Sequence, residues 1–211
     1  MVDVAIVDYG MGNLRSVHQA VRKVAPNASV SVTDDAKIIA AASRVIFPGQ
    51  GAMPDCMREL GARGLSQTVL EAARNKPFLG ICIGLQMMFE HSAEGDVPGL
   101  GILAGDVVRF ASGLKDENGA KLKVPHMGWN RVHHADHLLW NGIAQNERFY
   151  FVHSYYVQPK DADLVQGTSE YPQRFVCAVT QENLFAVQFH PEKSAAAGLR
   201  LLQNFINWNP V

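Results

Sequence analysis

The sequence predicts an α/β fold of the Rossmann-like type, with a mostly parallel central sheet flanked by helices and a more antiparallel carboxyl-terminal half. In the amino-terminal half, short apolar runs alternate with helical periodicities, as buried parallel strands and crossover helices do. Beyond about Gly101 the pattern changes to strand-like segments separated by polar loops. A length of 211 residues with 47% apolar content suits one domain, which we predict to span residues 1–211.

The amino-terminal half is predicted to alternate strands with helices. In chain order its elements are a strand at 4–7, a helix at 14–24, strands at 29–33 and 44–47, a helix at about 54–75, a strand at 78–81 and a helix carrying Leu85, Met88 and Phe89. The strands are short apolar runs, and the helices repeat apolar residues every three or four positions. In a doubly wound sheet the carboxyl ends of these strands meet at one edge.

The carboxyl-terminal half is predicted to contain strand-like segments and one closing helix. Residues 149–157 and 184–189 are the clearest strands, because they are apolar and bounded by polar loops. Residues 195–208 repeat leucine, phenylalanine and isoleucine on one side of a helix. We expect this helix to pack back on the sheet.

Charge and cysteine content exclude several classes of protein. Lysine and arginine total 19 against 20 acidic residues, so there is no basic surplus to bind nucleic acid or an anionic membrane. The three cysteines show no C-x-x-C spacing and no disulfide framework, which indicates a reducing compartment. The amino end does not resemble a signal peptide, and no apolar run approaches the roughly 20 residues that span a bilayer. We expect a cytoplasmic protein whose partner is a small molecule or another protein.

Cys82 lies where a predicted strand meets a predicted helix, within Gly80-Ile81-Cys82-Ile83-Gly84. This pattern is typical of a nucleophile elbow, in which a strained turn presents the nucleophile and bulky neighbours would clash. The amide of Ile83 would help form an oxyanion hole, and the helix N-terminus would favour the thiolate. A lone cysteine is more often a small buried hydrophobe, the interpretation kept for Cys56 and Cys177. The elbow alone indicates a cysteine hydrolase of unknown substrate.

His190 and Glu192 are the candidate base and its orienting carboxylate. Pro191 restricts His190 to an extended conformation, and residues two apart on extended chain project to the same side. Glu192 is therefore expected to orient the His190 imidazole. A histidine at a strand end is more often structural, but its combination with the elbow favours a catalytic pair.

The turn Pro48-Gly49-Gln50-Gly51 ends the third predicted strand, at the same sheet edge as Cys82. Backbone amides of Gly49, Gln50 or Gly51 are candidate second donors to an oxyanion, because glycine lets the peptide approach closely and rotate. The same pattern also occurs in ordinary tight turns.

Neither a metal nor a cofactor is predicted. His133, His134 and His137 lie close in sequence, but in a polar stretch with no thiolate and no recognised ligand spacing. The segment Gly10-Met11-Gly12-Asn13 lacks the complete G-x-G-x-x-G pattern, which disfavours a bound dinucleotide.

Taken together, the elbow, the turn at 48–51 and His190-Pro191-Glu192 resemble the class I, or triad, glutamine amidotransferases. Three further stretches narrow the resemblance to the family of glutaminase subunits of imidazole glycerol phosphate synthases: Pro125-His126-Met127-Gly128-Trp129-Asn130, His153-Ser154-Tyr155-Tyr156 and Lys193-Ser194. The resemblance extends from Val4 through the terminal helix and so covers nearly the whole chain.

The resemblance implies a glutaminase reaction. In it Cys82 attacks the side-chain carboxamide of glutamine, His190 protonates the departing ammonia and Glu192 orients the imidazole, after which water hydrolyses the thioester to glutamate. It also implies a substrate-binding set of Gln86, Glu94, His153, Ser154 and Tyr155. From their sequence positions alone, Gln86 and Glu94 fit equally well on an exposed helix face and its following loop.

The resemblance also implies a partner. Ammonia would pass to a (β/α)8-barrel cyclase subunit of a heterodimer, which makes imidazole glycerol phosphate and aminoimidazole carboxamide ribonucleotide in histidine biosynthesis. The positions that match its interface are Asn13, Trp129, Tyr150 and Lys193, although Trp129 could instead fill a core. Rotation of the peptide after Gly49 would couple activity to the partner, and here Gln50 replaces an expected small apolar residue such as valine.

Two alternatives stay open at this point. Another triad glutaminase, for example one serving pyridoxal phosphate synthesis, would share the elbow and the triad, although the 125–130 stretch argues against it. A non-catalytic or redox-sensing α/β protein would keep Cys82 without using glutamine. Glu192 and Gln86 would then have no purpose.

Overall fold

A mixed β-sheet forms the centre of the protein, whose computed structural model describes residues 2–115 and 118–210. The ends of the predicted 1–211 domain, and positions 116 and 117, lie outside the described residues. The strands are β1 (Val4–Val7), β2 (Val30–Thr33), β3 (Arg44–Gly49), β4 (Phe78–Cys82), β5 (Phe89–Ser92), β6 (Val97–Pro98), β7 (Leu103–Arg109), β8 (His126–His134), β9 (Glu147–His153), β10 (Tyr155–Pro159), β11 (Val165–Glu170), β12 (Arg174–Gln181) and β13 (Leu184–Val187).

The helices lie mainly in the amino-terminal half and at the carboxyl end. They are α1 (Leu14–Val24), α2 (Ala36–Ala41), α3 (Met53–Ala62), α4 (Ser66–Asn75), α5 (Ile83–Gln86) and α6 (Ala195–Asn207). In α1 the basic residues Arg22 and Lys23 occupy the last turn, where they favour the helix dipole. Within the described residues, no helix is both long enough and apolar enough to cross a membrane.

The predicted fold class is confirmed. Strands β2, β1, β3, β4 and β13 are neighbours in that order and all run parallel, so the strands of the first half form the predicted parallel sheet. β13 then pairs antiparallel with β12, which leads to the antiparallel strands of the second half. The residues of β1, β4 and β13 are buried throughout, as expected for strands covered on both faces.

Two predicted helices are wrong in their extent. The predicted helix at 54–75 is two helices, because the chain turns between α3 and α4 with Gly64 at a φ of +67°. The helix predicted to carry Phe89 stops at Gln86, and Phe89 begins β5, which pairs with β7. Leu85, Met88 and Phe89 are all fully buried, and a short run buried on every side has no period that separates helix from strand.

The strand predicted at 149–157 is also interrupted. β9 ends at His153 and β10 begins at Tyr155, so Ser154 separates two strands. β9 pairs with β8, whereas β10 pairs with β7 and β12. The change of partners at Ser154 brings the backbone of 153–155 to the wall of the site described next.

Candidate active site

The elbow at Cys82 has the strained geometry that its glycines predict. Cys82 is the last residue of β4 and the N-cap of α5, with φ 57° and ψ −111°. A non-glycine residue in such a conformation costs about 1–3 kcal/mol, so the surrounding structure must hold it there. A side chain at Gly84 would overlap the carbonyl oxygen of Phe47, and one at Gly80 would lie 2.9 Å from the Gly84 carbonyl oxygen. Both glycines are therefore required by close backbone packing.

Cys82 opens into a cavity of about 260 Å³ at the carboxyl edge of the parallel strands. The cavity collects ten of the residues predicted to form the site, together with two that were not predicted. Its lining residues are Gln50, Gly51, Cys82, Ile83, Gln86, Glu94, Pro125, Val152, His153, Ser154, Tyr155 and His190. The structure thus brings the elbow, the 48–51 turn and the predicted substrate-binding residues to one place, while their individual roles stay predictions.

His190 and Glu192 form a buried pair beside Cys82. His190 Nδ1 lies 2.9 Å from Glu192 Oε1, and the two side chains are 4% and 1% exposed. His190 itself is extended, as the proline after it predicts, but the expectation that the chain stays extended as far as Glu192 is wrong. Pro191–Lys193 is a 3-10 turn rather than extended chain, and the Lys193 amide donates to the His190 carbonyl oxygen. The turn, not strand alternation, brings the carboxylate back to the imidazole.

The electrostatics of His190 favour the imidazolium. Burial lowers its pKa, but the interactions with Cys82 and with Glu192 outweigh burial and raise the pKa to about 10. Nδ1 is engaged by Glu192, whereas the buried Nε2 makes no well-aligned hydrogen bond to the described residues. Nε2 is therefore the atom left to exchange a proton at Cys82.

The backbone of His190 is held by β9. Its amide donates to the Tyr150 carbonyl oxygen at 2.9 Å, and Ser194 Oγ donates to the His190 carbonyl oxygen at 2.6 Å. The Tyr150 amide in turn donates to Ser194 Oγ at 3.0 Å. These three bonds fix the histidine relative to the strand that forms the cavity wall.

The turn after β3 lies beside the elbow as predicted. Gly49 is opposite Cys82 in the parallel ladder, and Ile83 is the first residue of α5, whose amide has no partner inside the helix. A side chain at Gly49 would come within 2.5 Å of Tyr9 Oη and 2.9 Å of Ile83 Cβ. A β-branched residue at Gly49 would therefore clash with Tyr9 and Ile83, so a change in activity could not be attributed to rotation of the peptide after Gly49. Gln50 is exposed and lines the mouth of the site together with Gly51.

Gln86 is buried, so the interpretation of it as an exposed helix residue is wrong. It is 1% exposed, and its Nε2 donates to the Tyr155 carbonyl oxygen at 3.2 Å and to Gln188 Oε1 at 3.0 Å. Its Oε1 is buried without a hydrogen-bond partner in the described chain, and the residue lines the cavity. Glu94 is half-buried, and its Oε2 accepts from the Met53 amide at 2.9 Å. A side-chain amide and a carboxylate in the lining of one cavity suit an ammonium group.

Gln188 was missed by sequence reasoning. It is fully buried, its Oε1 accepts from Gln86, and its Nε2 lies 3.7 Å from Cys82 Sγ. The available signal was a single polar residue within the apolar run 184–189. Pro125 and Val152 were also missed as lining residues, and no feature of the sequence separates Val152 from other strand residues.

The four residues predicted at a partner interface lie outside the cavity. Trp129 is 50% exposed, so the alternative that it fills a core is wrong. Its ring centroid lies 6.1 Å from that of Tyr150, and Lys193 Nζ lies 5.9 Å from the Tyr150 centroid. Asn13 has a local role, because its Oδ1 accepts from the Ser16 amide at the start of α1.

The three histidines at 133–137 are not gathered around one point. His134 stacks on Trp140, with ring centroids 4.7 Å apart, and His137 packs against Phe185 and Trp208. Across residues 2–115 and 118–210 there is no group of three or more histidine, cysteine or acidic side chains that could hold a metal ion.

Comparison with known proteins gives consistent matches over the whole chain. The family model described as glutamine amidotransferase class-I matches residues 5–208. Imidazole glycerol phosphate synthase subunit HisH of Nitrosospira multiformis is 63% identical, and that of Aromatoleum aromaticum is 64% identical, each with 100% of both chains covered. A crystal structure of a glutamine amidotransferase superposes with a TM-score of 0.73 at 16% identity, covering 97% of each chain, which supports the fold.

Proposed function

The chain belongs to the class-I glutamine amidotransferase family, and from that premise we propose that it is the glutaminase subunit of imidazole glycerol phosphate synthase. It hydrolyses glutamine to glutamate and ammonia, and the ammonia serves a cyclase that makes imidazole glycerol phosphate and aminoimidazole carboxamide ribonucleotide in histidine biosynthesis. The observation that carries the proposal is the cavity in which Cys82 meets the buried His190–Glu192 pair. The alternative, pyridoxal phosphate synthesis, is not supported, because the full-length relatives are named for the synthase.

The reaction begins at the thiolate of Cys82. Its Sγ attacks the carboxamide carbon of glutamine, and the resulting oxyanion accepts hydrogen bonds from the amide of Ile83 and from the turn at 49–51. His190, protonated and held by Glu192, gives its Nε2 proton to the amide nitrogen, so that the carbon–nitrogen bond breaks and ammonia leaves. His190 is then neutral and takes a proton from water, which attacks the thioester and releases glutamate.

Substrate recognition is assigned to the opposite wall of the cavity. We expect the α-ammonium group of glutamine to donate to Gln86 Oε1 and to the Glu94 carboxylate. His153, Ser154 and Tyr155 line the same cavity, and we expect their backbone amides to bind the α-carboxylate. This assignment is supported by the burial of Gln86, since an unpaired buried acceptor is costly without a ligand.

A partner chain completes the proposed function. The relatives are named as subunits, and we infer that this chain also works in a complex, with a (β/α)8-barrel cyclase as its partner. Met127 and Trp129 are two apart on β8 and are 63% and 50% exposed, so they form an apolar face that a partner would cover. Tyr150 and Lys193 adjoin it. We place the complex in the cytoplasm, consistent with three free cysteines among the described residues.

Glutamate release tests the proposal directly. We expect the wild-type chain, mixed with the barrel subunit and its nucleotide ligand, to release glutamate from glutamine, and Cys82→Ala to release none. Cys177→Ala is the matched control, since Cys177 is also buried but lies in β12 away from the cavity lining. Absence of glutamate from wild type under every condition would refute the proposal. Inactivity of the isolated chain alone would not, because such sites are often unproductive without their partner.

A further inference from the structure

Two histidines form a buried hydrogen-bonded pair behind the cavity wall. His126 Nδ1 lies 3.0 Å from His153 Nε2, and the residues are 4% and 6% exposed. His126 begins β8 and His153 ends β9, where the two are register partners. Of the two, only His153 lines the cavity; the mechanism above uses neither side chain.

Each proton in this pair has a single consistent position. The Tyr155 carbonyl oxygen can only accept, so His153 Nδ1, 2.8 Å away, must carry a proton and donate it. If His153 is neutral, its Nε2 must then accept, which requires a proton on His126 Nδ1. His126 Nε2 accepts in turn from Asn130 Nδ2 at 3.3 Å. The chain of bonds therefore runs in one direction from Asn130 to Tyr155.

The pair is held neutral by its surroundings. Burial lowers the pKa of His126 to about 4. Burial also lowers the pKa of His153 to about 3, aided by His126 and His190 and opposed by the bond to the Tyr155 carbonyl. Aromatic rings enclose both imidazoles: Tyr171 stacks on His126 at 4.0 Å, and the centroid of Phe175 lies 5.2 Å from that of His153. A neutral pair with one proton on each ring satisfies all four ring nitrogens.

The chain of hydrogen bonds ends at Tyr155, which lines the cavity beside Gln86. The Tyr155 carbonyl oxygen accepts both from His153 Nδ1 and from Gln86 Nε2, so the same atom orients the backbone of Tyr155 and the side chain of Gln86. Loss of the bond at His126 would leave His153 Nε2 buried and unpaired. The ring would then be held on one side only, and turning it to reach another partner for Nε2 would weaken or remove the donor to Tyr155.

We propose that His126 is a positioning residue for glutamine binding: through His153 it fixes the Tyr155 carbonyl and thereby the Gln86 amide. The inference rests on the proposed glutaminase function. His126 itself does not contact the substrate. It lies on β8, the strand that also carries the exposed Met127 and Trp129, and so links that strand to the lining of the cavity.

Three variants distinguish the effect of the His126–His153 hydrogen bond from the effect of packing around the two rings. His126→Phe keeps a ring in place but removes the donor to His153. His126→Asn places an amide nitrogen near the position of Nδ1 and restores a donor. Phe175→Leu is the matched control, because it alters the packing around both imidazoles while leaving every hydrogen bond of the pair intact.

Steady-state glutamine hydrolysis is measured for each variant in complex with the barrel subunit and its nucleotide ligand. We expect His126→Phe to raise the KM for glutamine by about tenfold with a smaller change in kcat, as loss of one buried hydrogen bond predicts. His126→Asn should recover most of that loss, and Phe175→Leu should leave KM near the wild-type value. An unchanged KM in His126→Phe, or an equal rise in Phe175→Leu, would overturn the proposal.

Nitrogen NMR of the histidines gives a second test that needs no variant. In the wild-type chain at neutral pH, we expect His153 to be the neutral tautomer protonated at Nδ1. Observation of a cationic His153, or of the tautomer protonated at Nε2, would overturn the inference. Failure of the glutaminase assignment is distinct, because it would appear as absence of glutamate from the wild-type complex.

Discussion

Replacing Gly84 by alanine tests whether the elbow depends on backbone contact between α5 and β3. The added Cβ would overlap the Phe47 carbonyl oxygen, lie 3.1 Å from the Phe47 carbonyl carbon and lie 3.4 Å from its Cδ1. Carbon atoms pack best at about 3.5–4.0 Å, so α5 and β3 must separate to admit it. Phe47 lies opposite Gly80 in the β3–β4 ladder, and its carbonyl cannot rotate away as a flexible side chain would.

The expected cost follows from two opposing contributions. In an unobstructed helix, glycine to alanine stabilises by about 1 kcal/mol. Overpacking a close contact costs about 1–3 kcal/mol and occasionally more, and an overlap with main chain belongs at the upper end. We therefore expect the free energy of unfolding of Gly84→Ala to fall by about 2 kcal/mol, which lowers Tm by about 4–8 °C for a chain of this size. Glutaminase activity should fall as well, because Ile83 and Gly49 lie on the two elements forced apart.

Urea unfolding followed by circular dichroism measures this change, with Gly61→Ala as the control. Gly61 lies in α3, and a Cβ there would meet no described atom within 4 Å. Gly61→Ala should therefore be as stable as wild type or slightly more stable. If Gly84→Ala matched Gly61→Ala in stability and activity, the argument from close backbone approach would be refuted.

Three further predictions concern the triad, the missed glutamine and the partner surface. Glu192→Gln removes one cause of the raised pKa of His190. Because this pKa is higher in the folded chain than in the unfolded chain, protonated His190 stabilises the fold fully below about pH 6.5, and that stabilisation is lost as the pH rises through about 10. The stability deficit of Glu192→Gln in urea unfolding should be largest near about pH 6 and close towards pH 10; a deficit independent of pH would contradict this. Gln188→Leu should lower kcat/KM for glutamine by about tenfold, since it leaves a buried amide with one partner fewer, and unchanged kinetics would count against its role. Trp129→Ala should weaken binding of the barrel subunit in calorimetry by about 2 kcal/mol, whereas Leu138→Ala, 60% exposed at another site, should not.

Local patterns were sufficient for much of the fold and for the centre of the site. The elbow could be recognised from five adjacent residues, because a nucleophile on a tight strand-to-helix turn needs glycine on either side within that same segment. The parallel strands were recognisable for a similar reason, since burial on both faces leaves a continuous apolar run. One error in element length arose where no local residue marked the end, between Gln86 and Phe89, whereas Gly64 did mark the turn inside the helix predicted at 54–75.

Contacts between distant segments could not be predicted in this way. Gln188 meets Gln86 from 102 positions away, and His126 meets His153 only because β8 and β9 are register partners. Whether a polar residue in an apolar run is a defect or a hydrogen-bonding partner depends on what the neighbouring strand places opposite it. Sequence spacing carries no information on that point.

Residues adjacent along the chain were enough to predict the class of fold, which the structure confirms, and to propose Cys82 as the nucleophile with His190 and Glu192 beside it. The tertiary structure decided which side chains surround Cys82, how Glu192 reaches His190 through a 3-10 turn, and why Gln86 is buried rather than exposed. It alone showed the directed chain of bonds from Asn130 through two histidines to Tyr155. Burial and the direction of these hydrogen bonds depend on groups that separate strands bring together, such as His126 with His153 and Gln86 with Gln188, so the order of residues along the chain does not reveal them.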